Sequence, residues 1–240
     1  MKKTILCLVL LVFTTVFLSA DVYIKQNVHT DAFSMMGQSQ PAKDEVNHMW
    51  IGKNRMAMLG AEQSFILDGD KNMAYMINHQ SKNYVEMALP LDMSKYLPEQ
   101  FTQMMSGITV EVKPTGQKEK VNQWMCDIYD VTMNMMMFKM NMKVWASTDV
   151  PFDWKAFQEE MFSQMAKATM RLTDDALKEF MKIQGYQIKT EIKMNVMGAE
   201  MKTIQEVVEI ADKDAPGGTY DPPADYKKMD KFSMQDMMQR

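Results

Sequence analysis

The sequence predicts an α+β domain built on a strongly curved antiparallel sheet, with helices on its concave face. Short segments that alternate apolar and polar residues recur along the chain and are joined by tight turns. Helical patterns are confined to two inserts, 90–107 and 153–185, instead of alternating with the strands. The stretch Trp124–Trp145 contains two neighbouring strands with an apolar, methionine-rich inner surface.

The first 20 residues have the layout of a secretory signal peptide. A cationic head, Met1–Lys3, precedes an apolar run that ends in Leu18-Ser19-Ala20, so cleavage is predicted after Ala20. The alternative is a retained N-terminal anchor, although the run is short against the ~20 residues that span a bilayer. We expect a signal peptide at 1–20, one domain at 21–228, a disordered tail at 229–240, and a periplasmic or secreted location.

The first 90 residues read as a meander of short antiparallel strands. Residues 33–43 are turn-like, because Gly37 and Pro41 break the pattern. Asp68-Gly69-Asp70-Lys71 is a strong hairpin turn. The predicted strands are Asp21–Thr30, Val46–Ile51, Arg55–Leu59, Ser64–Leu67, Met73–Ile77 and Tyr84–Met87.

The middle of the chain contains three further strands. A short helix is predicted at Glu99–Met105, a half-buried strand from Ile108 to Lys113, and a polar turn at Pro114–Lys120. The two strands of the Trp124–Trp145 stretch follow. In the second of them, apolar side chains alternate with Lys139, Asn141 and Lys143, which predicts one buried face and one solvated face.

Two helices and a final hairpin complete the predicted fold. Asp153 can cap the first helix and Thr173 the second, and Gly185 ends the second. The strands of the hairpin lie between Tyr186 and Ile210. The first helix carries one apolar stripe, formed by Trp154, Phe157, Met161, Met165, Ala168 and Leu172.

Composition excludes several functional classes. Removal of the two lysines in the signal peptide changes the net charge from −4 to −6, and no basic block is present, which argues against nucleic acid. Cys126 is the only cysteine after the signal peptide and is expected to be buried and inert. The three histidines are far apart in the sequence, and no catalytic motif or phosphate loop is present, so we expect no enzyme and no cofactor.

Several stretches resemble the bacterial DUF4412 proteins. Residues 113–120 and 124–131 are similar to that family's TGEKKxIxGYxCxxYxV signature, with Gln123-Trp124 where the family has Gly-Tyr. Asp225 replaces the family's glycine before the final tyrosine. The other similar stretches are Asp68-Gly69, Asn83–Met87, Val144–Ser147, Gly185–Ile210, Ala215–Tyr220 and Pro223–Lys228.

The resemblance implies a fold and a class of ligand. DUF4412 proteins are similar in design to the LolA/LolB-like periplasmic lipoprotein carriers, which have an open half-barrel sheet with helices plugging the concave side. We therefore expect a half-barrel with a cavity for acyl chains. The resemblance brings no catalytic residues with it.

The first functional hypothesis is an envelope protein that binds or carries an apolar ligand between sheet and helices. Methionine suits such a cavity because its flexible thioether chain adapts to several ligand shapes. The expected partners are an apolar small molecule or a lipid or lipoprotein acyl chain, and a membrane-associated protein. The predicted apolar wall consists of Met136, Phe138, Met140, Met142, Val144, Trp154, Phe157, Met161 and Met165.

Two other hypotheses stay open. Thioethers are soft ligands that suit Cu(I) or Ag(I), and the chain has 30 methionines among its 240 residues. The alternative metal residues are Met133, Met135, Met137 and Met140. In the third hypothesis, the same side chains form an ordinary filled core, and the protein has a structural or interaction role through its outer surface.

Overall fold

The computed structural model describes residues 21–35, 38–99, 107–135, 139–196 and 199–232. The predicted signal peptide therefore lies outside the described residues, and Asp21 is the first residue of the first strand. In chain order the described strands are β1 (Asp21–Thr30), β2 (Phe33–Met35), β3 (Gln38–Gln40), β4 (Lys43–Ile51), β5 (Arg55–Leu59), β6 (Gln63–Asp68), β7 (Met73–Asn78), β8 (Asn83–Ala88), β9 (Thr109–Val121), β10 (Trp124–Asn134), β11 (Lys139–Ser147), β12 (Tyr186–Val196), β13 (Ala199–Lys213) and β14 (Lys227–Met229).

Twelve of these strands form one open, curved sheet in the order β14-β8-β7-β6-β5-β4-β1-β13-β12-β11-β10-β9. All its described pairings are antiparallel except that of β14 with β8. β13 pairs with β1, so the first strand lies near the centre of the sheet. The predicted class, an open antiparallel half-barrel with helices on its concave face, is confirmed.

The Trp124–Trp145 stretch forms the predicted strand pair. β10 and β11 align Val131 with Met142 and Met133 with Met140. Directly opposite residues share a face, so these four side chains point the same way. Val131 and Met133 are each 1% exposed, whereas Lys139 and Lys143 are exposed on the other face. The predicted division into a buried and a solvated face is correct.

One predicted turn is wrong. Residues 114–120 continue strand β9, and the chain reverses only after Val121, where Asn122 has a φ of 53°. Pro114 is tolerated because β9 is the edge of the sheet, where a missing N–H removes no ladder bond. The pairing of β9 with β10 shifts register between Asp127 and Tyr129, which accommodates the irregular Pro-Thr-Gly segment as a bulge.

The two predicted helices are present. Helix α1 begins with Trp154–Ala156, takes π-helical geometry over Phe157–Phe162 and continues through Ser163–Met170. It is followed by α2, Asp174–Phe180. The side chains of Asp153 and Thr173 cap them by accepting the amides of Ala156 and Ala176 at 3.0 and 3.2 Å. Arg171 adopts a left-handed conformation (φ 52°), so the predicted stripe residue Leu172 lies beyond the end of α1.

Other expected irregular segments differ in part from the prediction. The predicted turn at 33–43 contains the small β2–β3 hairpin and the start of β4. A short 3-10 helix, Met93–Lys95, lies in the first insert. The predicted helix Glu99–Met105 lies outside the described residues apart from Glu99.

The segment after β13 crosses the convex face of the sheet and returns to its concave side. Tyr220 packs into a convex cluster with Tyr23, Trp50, Ile66 and Tyr75. β14 then extends the sheet beside β8, and Phe232 is buried with the side chains of β5–β8. The predicted disordered tail at 229–240 thus begins inside β14, and residues 233–240 of it lie outside the described residues.

Candidate ligand cavity

A cavity of about 500 Å³ lies between helix α1 and the concave face of the sheet. Its floor is a row of apolar side chains in register on five adjacent strands. Ile24 lies opposite Met49, Met49 opposite Met58, Met58 opposite Phe65, and Phe65 opposite Met76. Directly opposite residues project from the same face, so the row forms a continuous apolar surface. Ligand pockets in proteins have volumes of about 300–1,000 Å³, so this cavity falls in that range.

Helix α1 forms the roof of the cavity. Trp154, Phe157, Phe162 and Met165 line it from above. The amide of Gln158 fixes this helix by donating to the carbonyl oxygens of Phe180 and Ile183 at 3.3 and 3.1 Å. These bonds tie α1 to the end of α2 and so hold the roof in place.

An aromatic cluster borders the cavity, which two of its three rings line. The rings of Phe152, Phe157 and Tyr186 pack edge-to-face in all three pairs, with centroids 5.2–6.2 Å apart. The hydroxyl of Tyr186 donates to the sulfur of Met49 at 3.7 Å. Burial raises the pKa of Tyr186, so its hydroxyl stays neutral and can act as a donor.

Neutral amides form most of the polar part of the lining, which also includes His48, Ser64 and Thr190. The ring of His48 is directed to the convex face, where its Nδ1 lies 2.7 Å from the hydroxyl of Tyr23. Gln26 lies opposite Asn47, and Gln205 lies opposite Thr190, all on the cavity surface. Gln63 and Gln187 also line it. No Asp, Glu, Lys or Arg occurs among the described lining residues. Amides supply donors and acceptors without charge, so the cavity combines an apolar interior with an uncharged hydrogen-bonding rim.

The predicted apolar wall is divided between three places. Trp154, Phe157 and Met165 line the cavity. Met161 instead packs with Met93 and Leu97 beside the short-strand part of the sheet. Met140, Met142 and Val144 belong to a separate, filled cluster. Met136 and Phe138, and Met137 of the alternative metal set, lie outside the described residues.

The filled cluster lies under α2 and the C-terminal part of α1. Val131, Met133 and Val144 are 1% exposed and pack against Leu177 and Phe180. Glu179 of α2 accepts the amide N–H of Val112 at 3.0 Å, so the helix also satisfies a donor on the edge strand β9. The part of β10 and β11 that carries Val131, Met133 and Val144 is therefore core, with α2 packed where a ligand would otherwise lie.

Sequence reasoning missed the cavity floor and the amides. The inward position of two floor residues, Phe65 and Met76, could have been predicted, because the Asp68–Lys71 turn fixes the register of β6 and β7. What the pattern lacked was the position of α1, which covers β4–β7 instead of β10–β11. Glutamine on a strand gave no signal, because an inward amide and an outward amide look alike in sequence.

Other reactive side chains have structural surroundings. Cys126 is fully buried, and burial raises the pKa of its thiol to about 11, so it is protonated and inert, as expected. His79 lies between the hydroxyls of Ser64 and Tyr226, with its Nε2 2.8 Å from Ser64 and its Nδ1 2.9 Å from Tyr226. Ser64 is buried, so this trio connects the C-terminal segment to the β6–β7 hairpin.

Among the residues that the structure describes, no group of three or more His, Cys, Asp or Glu side chains is arranged to hold a metal ion. No described helix combines the length and the apolar character needed to cross a membrane.

The chain was compared with known families and proteins. The family model named Domain of unknown function (DUF4412) matches residues 33–226. The chain belongs to the DUF4412 family. The match covers most of the described fold, from the β2–β3 hairpin to the segment before β14, and confirms the resemblance found in the sequence motifs. A comparison with curated proteins found no significant match.

Solved structures similar to this DUF4412 chain include two bacterial proteins. One is described as an outer membrane lipoprotein-sorting protein domain from Vibrio parahaemolyticus, with 7% identity, a TM-score of 0.31, and coverage of 84% of this chain and 89% of that one. The other is a DUF1329 family protein from Desulfovibrio piger, with 9% identity, a TM-score of 0.29, and coverage of 85% and 90%.

Proposed function

We propose that this DUF4412 protein is a non-enzymatic binder or carrier of an apolar ligand that bears an uncharged polar group. The observation that carries the proposal is the cavity of about 500 Å³ under α1, with its apolar floor and neutral amide rim. When a ligand covers the apolar surface of the cavity, binding is favoured by about 25 cal/mol for each Å² of apolar area removed from water. An acyl chain supplies that area.

The methionines of the cavity favour a ligand of variable shape. Met49, Met58 and Met76 lie on the floor and Met165 lies on the roof. Each has several rotatable bonds, so the surface can repack around chains of different length or bend. A rigid site for one compact molecule would be served better by branched side chains of fixed rotamer.

The amide rim favours an uncharged head over an ionised one. A phosphate or free carboxylate that entered the cavity would lose water without meeting a lysine or arginine side chain, which is costly. An ester, hydroxyl or amide can instead bond Gln26, Asn47 or Gln205, which offer both donors and acceptors. Acylglycerols and the acylated ends of lipoproteins have such groups.

The proposal includes a periplasmic or secreted location for the protein. Cleavage after Ala20 would remove only residues that precede β1, so the whole described fold would be exported. A periplasmic or secreted carrier then moves its ligand between membranes or proteins. A membrane-associated protein partner stays a prediction.

The first test is direct binding to the purified protein. Organic extraction followed by mass spectrometry identifies what co-purifies, and titration with a fluorescent monoacylglycerol measures affinity. We expect binding by the wild type and a loss of about tenfold or more in M58W, because the indole fills the floor of the cavity. M125W is the matched control, since Met125 is 55% exposed and lies outside the cavity.

The second test addresses the head group. A fluorescent lysophosphatidic acid with the same acyl chain should bind more weakly than the monoacylglycerol. Gln26→Glu should lower the affinity for the monoacylglycerol below that of the wild type, because it places a charge at the lining. Gln26→Leu should lower that affinity less. An M58W variant that folds and binds as well as the wild type would contradict the proposed site. Tighter binding of the anionic lipid would contradict the uncharged head.

A further inference from the structure

A row of four methionines crosses four adjacent strands at one end of the sheet. Met133 of β10 lies opposite Met140 of β11, Met140 opposite Met194 of β12, and Met194 opposite Met201 of β13. Directly opposite residues share a face, so all four thioether chains project from the side on which α2 packs. The row is separate from the residues that line the ligand cavity.

The spacing of the row suits a shared ion. The β-carbons of directly opposite residues are about 4.5–5.5 Å apart, and each methionine has three rotatable side-chain bonds. The sulfurs of two or three neighbours can therefore turn towards one point. Of the alternative metal set named from the sequence, the register places Met133 and Met140 side by side, and it adds Met194 and Met201, which the sequence did not identify.

Burial falls along the row. Met133 is 1% exposed, whereas Met140, Met194 and Met201 are partly exposed. An ion can therefore reach these three side chains from solvent, while Met133 packs with Val131 and Val144 in the filled core and anchors one end of the row. A row needed only for core packing would gain more from burial along its whole length.

The chemistry of the row selects the ion. Thioethers are neutral, soft donors that suit Cu(I) and Ag(I) and are poor ligands for hard or highly charged cations. Lys193 and Lys202 lie opposite each other on the reverse side of the same strands. Their positive charge opposes a divalent ion more strongly than a monovalent one. We propose that Met140, Met194 and Met201, with Met133 at the buried end, form a binding site for a soft monovalent cation, Cu(I) or Ag(I).

Competition titration tests the site. Cu(I), kept reduced with ascorbate under anaerobic conditions, is partitioned between the purified protein and a colorimetric Cu(I) chelator. The double variant Met140→Leu/Met194→Leu removes two sulfurs at nearly constant volume. We expect its Cu(I) affinity to fall about tenfold or more, because two of the soft ligands are lost.

A matched control separates this row from the other methionines. Met56 and Met87 are also on the sheet and are fully buried, but two strands lie between them, so they cannot share an ion. The variant Met56→Leu/Met87→Leu should keep the wild-type Cu(I) affinity. Circular dichroism shows whether each variant is folded, and the single variants Met194→Leu and Met201→Leu serve if a double variant is not.

A spectroscopic readout distinguishes ligation from packing. In protein labelled with ¹³C at the methionine methyl groups, Ag(I) should shift the resonances of Met140, Met194 and Met201 before those of Met56 and Met87. Equal Cu(I) affinity in the wild type and the folded row variants would overturn the site. So would an Ag(I) response spread evenly over all methionines, or a control variant that loses as much affinity as the row variant.

Discussion

The two halves of the sheet have the same kinds of inward apolar side chain but differ in what those side chains form. In the long-strand half, β9–β13, the inward Val131, Met133 and Val144 pack against α2 and form a filled core. In the short-strand half, β4–β8, the inward Met58, Phe65 and Met76 face α1 across an open cavity. An inward apolar row therefore becomes core or ligand surface according to the helix above it.

The outer faces of the two halves differ as well. Lys139, Lys143 and Lys193 are exposed on the convex side of the long strands. The short strands carry a second apolar cluster there, which Tyr220 and Tyr226 of the C-terminal segment cover. Strands buried on both faces lose their alternation, which is why residues 63–78 contain long apolar runs. In the half that contains the cavity, the C-terminal segment therefore packs on the convex face of the sheet.

The largest effect is expected from a truncation in the filled half. Leu177→Ala removes a side chain that is 6% exposed and packs on the inward row of β10 and β11. It should lower the free energy of unfolding by about 2–5 kcal/mol, because the cavity it creates cannot collapse in a close-packed core. Urea denaturation measures this. A loss below about 1 kcal/mol would show that this half is not filled.

Phe157→Ala is the corresponding truncation in the open half. Part of its ring faces the cavity, so we expect a smaller loss of about 1–2 kcal/mol in the free energy of unfolding. The affinity for a fluorescent monoacylglycerol should nevertheless fall, whereas Leu177→Ala should leave it nearly unchanged if the variant is folded. The reverse order of the two variants, in stability or in binding, would refute the distinction between the halves.

The sequence predicted the strands much better than it predicted the site. Strand alternation and hairpin turns depend on local residues, so the elements from Asp21–Thr30 to the final hairpin were found. Pro114 and Gly116 failed as turn signals because β9 is an edge strand with a bulge, and a sheet edge is a property of the whole topology. The local sequence does not show which strand lies at the edge of the sheet.

The candidate site depends on contacts that are distant in sequence. Gln158 fixes α1 by bonding carbonyls more than 20 residues away, and that placement decides that β4–β7 line the cavity. The sequence identified the roof residues Trp154, Phe157 and Met165, because helix periodicity is local. It could not identify the floor, because which strands lie under α1 depends on where that helix packs, and α1 follows these five strands by about 80 residues or more in the chain.

A smaller effect is expected from the pH dependence of the short-strand half. Burial lowers the pKa of His79 in the folded protein below its unfolded value near 6.5. The unfolded chain then binds more protons as the pH falls through that value, so the free energy of unfolding should fall between pH 7 and 5. Urea denaturation at both pH values should show a weaker dependence in His79→Gln.

His29 is the control for this prediction, since its titration has the opposite sign. Its hydrogen bond with Asp44 raises the pKa of the exposed imidazole, so any stabilisation is present at low pH and is lost as the pH rises through the folded pKa. His29→Gln should therefore steepen the loss of stability on acidification, whereas His79→Gln should reduce it. Identical pH profiles for His79→Gln and the wild type would refute the role of the buried imidazole.

The smallest effect is expected at the outer edge of the long-strand half. Lys118 of β9 lies 3.2 Å from the carboxylate of Asp127, and both side chains are largely exposed. Lys118→Ala should change the free energy of unfolding by less than about 0.5 kcal/mol, since water and salt screen an exposed pair. Thermal denaturation at low and high salt measures this. Pro114 and Gly116 make the pairing of this edge strand irregular, so we expect the contact of α2 with β9 to hold it in register. A larger loss of the free energy of unfolding would mean that the ion pair holds it instead.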